Sequence, residues 1–301
     1  MCVASGPTSC VDVGYSAAVQ GAFAGKRVFI TGGSSGIGRA AALQFARGGA
    51  SVCVAARRAE PLERVVEELR ASACREGQVF ASLALDISDR QAVYQAAPRV
   101  LAALGGLDIL VNNAGVTHVG YLDEAEDEVF ERLLRINYLG AVWVTRAFLG
   151  HFRGARAGTI AFVSSFLGLM GVFGYAAYTA SKHALTGFAE CLRQELLVDG
   201  VRVCVVFPGD AKTPMYEAEL PARPPESVKL AELVPPISAE LVARELLASV
   251  ARGREHAFPG FWNRASLWAA RHFPRVTRRV VDRDLRGVWR AGAGQGQRSR
   301  D

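Results

Sequence analysis

The sequence predicts an α/β fold: one doubly wound, mostly parallel sheet flanked by helices, forming a single domain with a basic C-terminal extension. Three observations predict it. Short apolar runs alternate with amphipathic stretches of helical period from residue 27 to about residue 251. The apolar runs are continuous rather than alternating, the mark of strands buried on both faces. Their strict strand–helix order allows parallel pairing through right-handed crossovers.

Taken in order, residues 1–24 are a leader of small residues, expected to be flexible. Strand one spans 27–31, and a helix over 38–49 follows, with Ile37, Ala41, Phe45 and Ala46 near one face. Strand two is 51–56. The helix over 61–74 buries Leu62, Val65, Val66 and Leu69. Strand three, 79–85, leads to a helix over 89–104, capped by Ser88 or Asp89. Strand four is 108–111, then come a helix over about 126–153, a strand at 159–164, a long helix over about 177–198 and a strand at 201–207. The rhythm then breaks: residues 209–237 hold six of the twelve prolines. A segment of this length is a substrate lid or a static surface loop. Ser238 caps a last domain helix over about 239–251, which closes a domain of 25–258, and 259–301 form the extension.

Composition narrows the function. Half of the 301 residues are hydrophobic and 21% are charged, as in a soluble globular protein. The net charge is +6, but residues 257–301 hold ten Arg and three Asp, so the tail contributes +7 and the remainder −1. No motif that reads nucleic acid accompanies this charge, which argues against a nucleic-acid partner. None of the six cysteines has C-x-x-C spacing, so no metal site is expected. Cys53 and Cys204 fall in strands as small buried hydrophobes. A reducing, cytoplasmic location is expected, since the first 25 residues show no secretory pattern and no run reaches the roughly 20 apolar residues of a membrane span.

Five motifs carry chemistry. Thr31-Gly32-Gly33-Ser34-Ser35-Gly36-Ile37-Gly38 sits between strand one and helix one. Its glycines permit a tight turn and let a pyrophosphate approach a helix N-terminus, the Rossmann-type way of holding a dinucleotide, although an ordinary βα turn has a similar composition. At the end of strand two, Ala56 stands where an acidic residue would hold the ribose hydroxyl of NAD, and Arg57 supplies a cation for a 2′-phosphate. That favours NADPH/NADP+, against a merely solvated arginine. Asp86 follows strand three, either as an acceptor for the adenine amino group or as a cap near Asp89. Asn112-Asn113-Ala114-Gly115 follows strand four and lines the ribose and nicotinamide side, or forms a plain turn. Tyr178-Thr179-Ala180-Ser181-Lys182 opens the helix after strand five. Tyr and Lys four apart share one helix face, and an ammonium beside a phenol lowers its pKa toward the range of acid–base work.

These residues, with Arg135–Gly140, Val163-Ser164-Ser165 and Pro208-Gly209…Thr213-Pro214, occur in the order and spacing of the short-chain dehydrogenase/reductase family, which the chain resembles over 26–258. The resemblance implies roles. Tyr178 is the general acid/base, and Lys182 lowers its pKa and holds the nicotinamide ribose. Ser165 binds the substrate oxygen, with Ser164 an alternative. Asn137 holds a water of a proton relay, against a reading as a buried Asn bonded to backbone. Pro208, Gly209 and Thr213 pass near the nicotinamide carboxamide. Gly32, Ser34, Ser35, Gly36, Ile37, Gly38, Arg57, Asp86, Asn113 and Gly115 complete the cofactor set. A homo-oligomer is implied as well.

Within the family, Ile136–Gly140, Gly168–Tyr175 and Pro208–Pro214 most resemble reductases of long-chain 3-ketosphinganine, with departures at Ala211 and Lys212, where a Thr-Asp pair is usual. This implies a long-chain lipid ketone as substrate and NADPH as donor. The alternatives are a hydroxysteroid or 3-oxoacyl substrate and, from another class, a non-catalytic NADP(H)-binding regulator. The tail interleaves Phe261, Trp262, Leu267 and Trp268 with arginines. It is either a peripheral membrane contact or a helix packed on protein.

Overall fold

The computed structural model of the chain describes residues 22–293. The sheet grows from β1 (Arg27–Thr31), β2 (Ser51–Ala56), β3 (Phe80–Ala84), β4 (Ile109–Asn112), β5 (Thr159–Val163) and β6 (Arg202–Val206), joined through α1 (Gly36–Arg47), α2 (Ala59–Ala71), α3 (Arg90–Leu104), α4 (Asp127–Leu133), α5 (Ala141–Ala155) and α6 (Ala176–Leu196). Next come β7 (Ala211–Lys212), α7 (Pro214–Glu219), α8 (Pro225–Ala231), β8 (Ile237–Ser238), α9 (Ala239–Arg252), β9 (His256–Ala257), α10 (Phe261–His272) and α11 (Pro274–Ala293). Seven strands form one sheet in the order β3-β2-β1-β4-β5-β6-β9, every pair parallel, and β7 and β8 pair separately. The order reverses between β1 and β4, which opens a crevice at the strands' carboxyl ends.

The inner strands of the sheet are almost wholly apolar because successive residues serve two cores, whereas the edge strand β3 is partly exposed. Val28, Ile30, Val52, Val54, Ile109, Val111, Ala161 and Val206 face the layer of α1, α2 and α9. Phe29, Cys53, Leu110, Ile160, Phe162, Val203 and Val205 face the layer of α3, α5 and α6. Helix ends follow local chemistry. Asp89, rather than Ser88, caps α3 through Ala92 N–H at 3.1 Å, and Ser238 caps α9 through Leu241 N–H at 3.1 Å.

Four expectations need correction. The N-terminal leader, whose residues 1–21 lie outside the described residues, does not run to 24. Phe23 is buried edge-on against Phe45 at 4.8 Å, because the apolar face of α1 needs a cover. The helix expected over 61–74 begins earlier, at Ala59, with Pro61 in its first turn where a missing N–H costs nothing. The helix expected over 126–153 is α4 and α5 joined by a π-helical stretch, Leu134–Gly140. The stretch 209–237 contains strand β7, helices α7 and α8 with a 3-10 turn at Leu220–Ala222 between them, and the start of β8, not loop alone. No helix among the described residues is long and apolar enough to cross a membrane.

Candidate active site

A cavity of about 970 Å³ opens along the carboxyl edge of the sheet. Its first wall is the turn after β1. Gly32 has φ +69°, a left-handed conformation that favours glycine, and a Cβ there would come within 2.7 Å of the Ala114 Cα. A Cβ on Gly38 would collide with the Gly32 carbonyl and the Asn113 amide. No side chain caps the start of α1, so its N-terminal N–H groups keep their capacity for an anion. Ser34, Ser35, Gly36 and Ile37 line the cavity beside it. The turn is braced from β4: Asn113 Nδ2 donates to the carbonyls of Thr31 and Gly32, each at 3.0 Å.

Beyond β2, Ala56, Arg57 and Arg58 line the same cavity. Both arginines are exposed, and neither forms an ion pair among the described residues. Asp86 reaches the cavity too, and its Oδ1 accepts from the backbone N–H (2.8 Å) and the hydroxyl (2.7 Å) of Ser88. The first wall therefore fits a dinucleotide, with a cradle only glycine can form and two unneutralised cations at the end of β2.

The reacting groups stand on β5 and α6. Ser165, which follows β5, accepts the Leu167 N–H at 3.1 Å and lines the cavity together with the Tyr178 phenol. Ser164 is spent elsewhere, on the Thr186 hydroxyl at 3.0 Å and the Lys182 carbonyl at 3.3 Å. Of the two serines, Ser165 is the one that acts on the tyrosine, drawing its pKa down. Lys182 is 4% exposed, and its Nζ donates to the Val163 carbonyl at 2.9 Å and lies 5.6 Å from the Tyr178 ring centroid. Burial pulls the Lys182 ammonium down to about 8. The Tyr178 phenol is pushed up, first by burial and then by the negative charge of Glu219, while Ser165 draws it down. This corrects the expectation of a lowered pKa: the lysine's charge is itself desolvated, and carboxylates stand nearby. The phenol therefore holds its proton at neutral pH.

Asn137 lies in the π-helical stretch and is 1% exposed. Its Nδ2 donates to the Val116 carbonyl (2.8 Å) and to Ser181 Oγ (2.9 Å), and its Oδ1 accepts the Val116 N–H (2.8 Å). Both amide hydrogens are thus engaged, which leaves the side chain only acceptor capacity. Gly115 sits against it, since a Cβ there would lie 3.1 Å from Asn137 Oδ1 and 3.5 Å from Lys182 Nζ. Pro208, Gly209 and Thr213 line the cavity, and Thr213 also caps α7 through the Tyr216 N–H at 3.2 Å.

The far wall contains residues that sequence reasoning missed. Helices α10 and α11 contribute Asn263, Ala269, Phe273, Val276, Val280 and Val281 to the cavity, facing Leu230, Leu233 and Val234 of the 209–237 segment. The signal lies in the sequence: 273, 276, 277, 280 and 281 follow helical spacing, with Arg275, Arg278 and Arg279 between them. Asn263 Nδ2 ties α10 to the Phe207 carbonyl at 2.7 Å, and Trp289 Nε1 ties α11 to Glu226 of α8 at 2.8 Å. Asp210, Glu219 and Arg223 were missed as well. They form a polar group on the cavity wall with Tyr178, in which Arg223 and Glu219 are largely buried and Asp210 is partly exposed, with Arg223 Nη1 2.9 Å from Asp210 and Nη2 3.3 Å from Glu219.

Comparison with known proteins follows the same lines. Residues 26–223 match the family model described as short chain dehydrogenase. The chain is 36% identical over 233 residues to a 3-ketodihydrosphingosine reductase of Bos taurus, covering 77% of this chain and 70% of that protein. It is 31% identical over 246 residues to one of Dictyostelium discoideum, covering 77% and 74%. Among solved structures it resembles a short chain dehydrogenase/reductase from Burkholderia phymatum in complex with NAD, with TM-score 0.72, 27% identity, and 83% of this chain and 92% of that one covered. It also resembles a 3-ketoacyl-(acyl-carrier-protein) reductase from Brucella melitensis complexed with NADH, with TM-score 0.69, 27% identity, and 77% and 93% covered.

Proposed function

Because the chain belongs to the short-chain dehydrogenase family, we propose that it reduces the ketone of a long-chain 3-ketosphinganine to the alcohol with NADPH. The observation that carries this is one cavity in which Ser165, Tyr178 and Lys182 stand between a glycine cradle and an apolar wall from α10, α11 and the 209–237 segment. The names of the relatives support the sphingoid ketone, and the apolar wall suits an alkyl chain.

The glycine turn with Ser34, Ser35 and Ile37 would hold the pyrophosphate, Arg57 the 2′-phosphate, Asp86 the adenine edge, and Asn113, Gly115, Pro208, Gly209 and Thr213 the nicotinamide side. The hydride for the carbonyl carbon is the chemistry bound NADPH supplies. Ser165 and Tyr178 donate to the ketone oxygen, two preplaced donors where negative charge develops. As the carbonyl carbon gains the hydride, Tyr178 gives its proton to the oxygen. Lys182, one helical turn away, stabilises the phenolate left behind. Asn137 and Ser181 hold the start of α6 in place behind them.

The test follows NADPH oxidation by the purified protein with 3-ketosphinganine, a 3-oxoacyl thioester and a ketosteroid, each with and without liposomes. Turnover confined to 3-ketosphinganine is expected; turnover of another ketone with this one inert discards the substrate. The solved neighbours that hold NAD or NADH make NADH the second reading of the donor, so each assay is repeated with it. Peripheral membrane contact belongs to the same proposal: Trp262, Phe273 and Val276 line the cavity yet are more than half exposed, so they stand at its mouth. Liposome sedimentation checks this, and light scattering checks for a homo-oligomer.

A further inference from the structure

The polar wall beside Tyr178 sets two carboxylates, Asp210 and Glu219, against one guanidinium, Arg223. The Arg223 side chain is 3% exposed, faces both Asp210 and Glu219, and lies over the Tyr216 ring at 4.8 Å. One guanidinium between two carboxylates leaves a net negative charge in a group whose Arg223 and Glu219 side chains are largely buried while Asp210 is 31% exposed. The Thr117 hydroxyl donates to the other Glu219 oxygen, a neutral contact that leaves this charge in place. Asn263 is an independent observation from another element. It is 2% exposed and lines the same cavity, and its Oδ1 has no donor among the described residues. That oxygen faces Gly209, the neighbour of Asp210, where a Cβ would lie 3.4 Å away. A buried acceptor without a donor is costly unless a ligand brings an N–H or O–H. An uncompensated negative charge away from water likewise calls for a cation. Asp210, Glu219 and Arg223 line the same cavity as Tyr178, so this wall flanks the point where the ketone oxygen is protonated.

We propose that this wall recognises an ammonium group on the carbon next to the ketone: Glu219 and Asp210 share Arg223 and hold the substrate's ammonium, with Asn263 Oδ1 as a further acceptor. The inference rests on the reading of the protein as a reductase of a sphingoid ketone, which is a 2-amino ketone, and names the residues that select it. An ammonium brings three donors and one positive charge, which matches what the wall lacks. A ketone without the amine would leave the net negative charge uncompensated and Asn263 Oδ1 without a donor, the situation in which a polar site discriminates most strongly.

The experiment compares kcat/KM for 3-ketosphinganine and for its analogue of equal length lacking the 2-amino group, in the wild type and in Glu219→Gln. The wild type is expected to favour the amine at least about 100-fold, and Glu219→Gln to reduce that ratio at least about tenfold, chiefly through KM. Calorimetric binding of the amino-alcohol product should weaken in parallel in the variant. An equal ratio in both proteins, or no preference in the wild type, overturns the inference and leaves the reductase reading standing. Turnover of neither ketone removes the reductase reading, and this inference with it. Should Glu219→Gln fail to fold by circular dichroism, Asp210→Asn and Asn263→Leu carry the same comparison.

Discussion

At one end of the cavity the walls are turns: the glycine turn after β1, the end of β2, and Asn113 to Gly115 after β4, each arriving at the carboxyl edge because its strand ends there. At the other end the walls are side chains from segments remote in sequence, including Tyr175, Glu219, Leu230, Asn263 and Val276. The first end is made by backbone conformation, so few residue types satisfy it. The second is made by packing, which many sequences satisfy, and it can vary while the reacting groups stay put. The family match ends at residue 223, before α8, α10 and α11 enter the wall.

Substitutions at each end sharpen this contrast. The largest effect is expected between the two ends, where Tyr178→Phe removes the proton donor. Turnover should fall by about 10²–10⁴-fold or more while NADPH binding, followed by fluorescence, persists. Retained turnover would take Tyr178 out of the mechanism.

Lys182 is next. Its ordinary value is 10.5, but in the fold it holds a proton only to about 8. Between those values the unfolded chain binds the extra proton, so this group adds stability as pH rises through the window and forfeits it as pH falls through 8. The span is on the order of 3 kcal/mol. Lys182→Met lacks this dependence. Urea unfolding of both proteins at pH 8 and pH 10 should therefore show wild type gaining on the variant, and a pH-independent difference would contradict the assigned burial.

A smaller effect tests the cofactor end. Arg57→Ala should weaken NADPH by about 1–3 kcal/mol and NADH much less. Equal losses for the two would show that Arg57 does not read the phosphate, leaving Arg58 as the cation to test. The smallest concerns the far wall. Trp289→Phe leaves Glu226 with Tyr121 as its remaining donor, at 3.1 Å. Trp289 is half exposed, so a loss of about 1 kcal/mol is expected in thermal or urea unfolding. An unchanged midpoint would mean that the contact does not hold α11 on α8.

The strands were readable because a parallel sheet covered on both sides needs an apolar residue at every position, as in Val52, Cys53, Val54 and Ala55. The glycine turn and the Tyr178–Lys182 pair were readable because their geometry is local: one needs φ values that glycine supplies, the other one helical turn. The break at Leu134–Gly140 was not readable, since a π-helical stretch shifts the phase of the apolar pattern only once, and the short helix α4 before it is too brief to fix a phase. Neither was the choice between Ser164 and Ser165, because adjacent residues after a strand point to opposite sides and only the neighbours Thr186 and Tyr178 tell which side holds the reaction.

The sequence by itself determined the doubly wound sheet, the cradle at its carboxyl edge and the acid–base pair, all of which rest on periodicity and on conformations within a few residues. Only the tertiary structure decided that the arginine-rich tail turns its apolar stripe into the cavity, that Asn263 of that tail keeps a buried oxygen without a donor among the described residues, and that Asp210 and Glu219 divide one arginine beside the tyrosine. These depend on which distant surfaces meet, and burial, charge balance and hydrogen-bond accounting acquire values only once they have met.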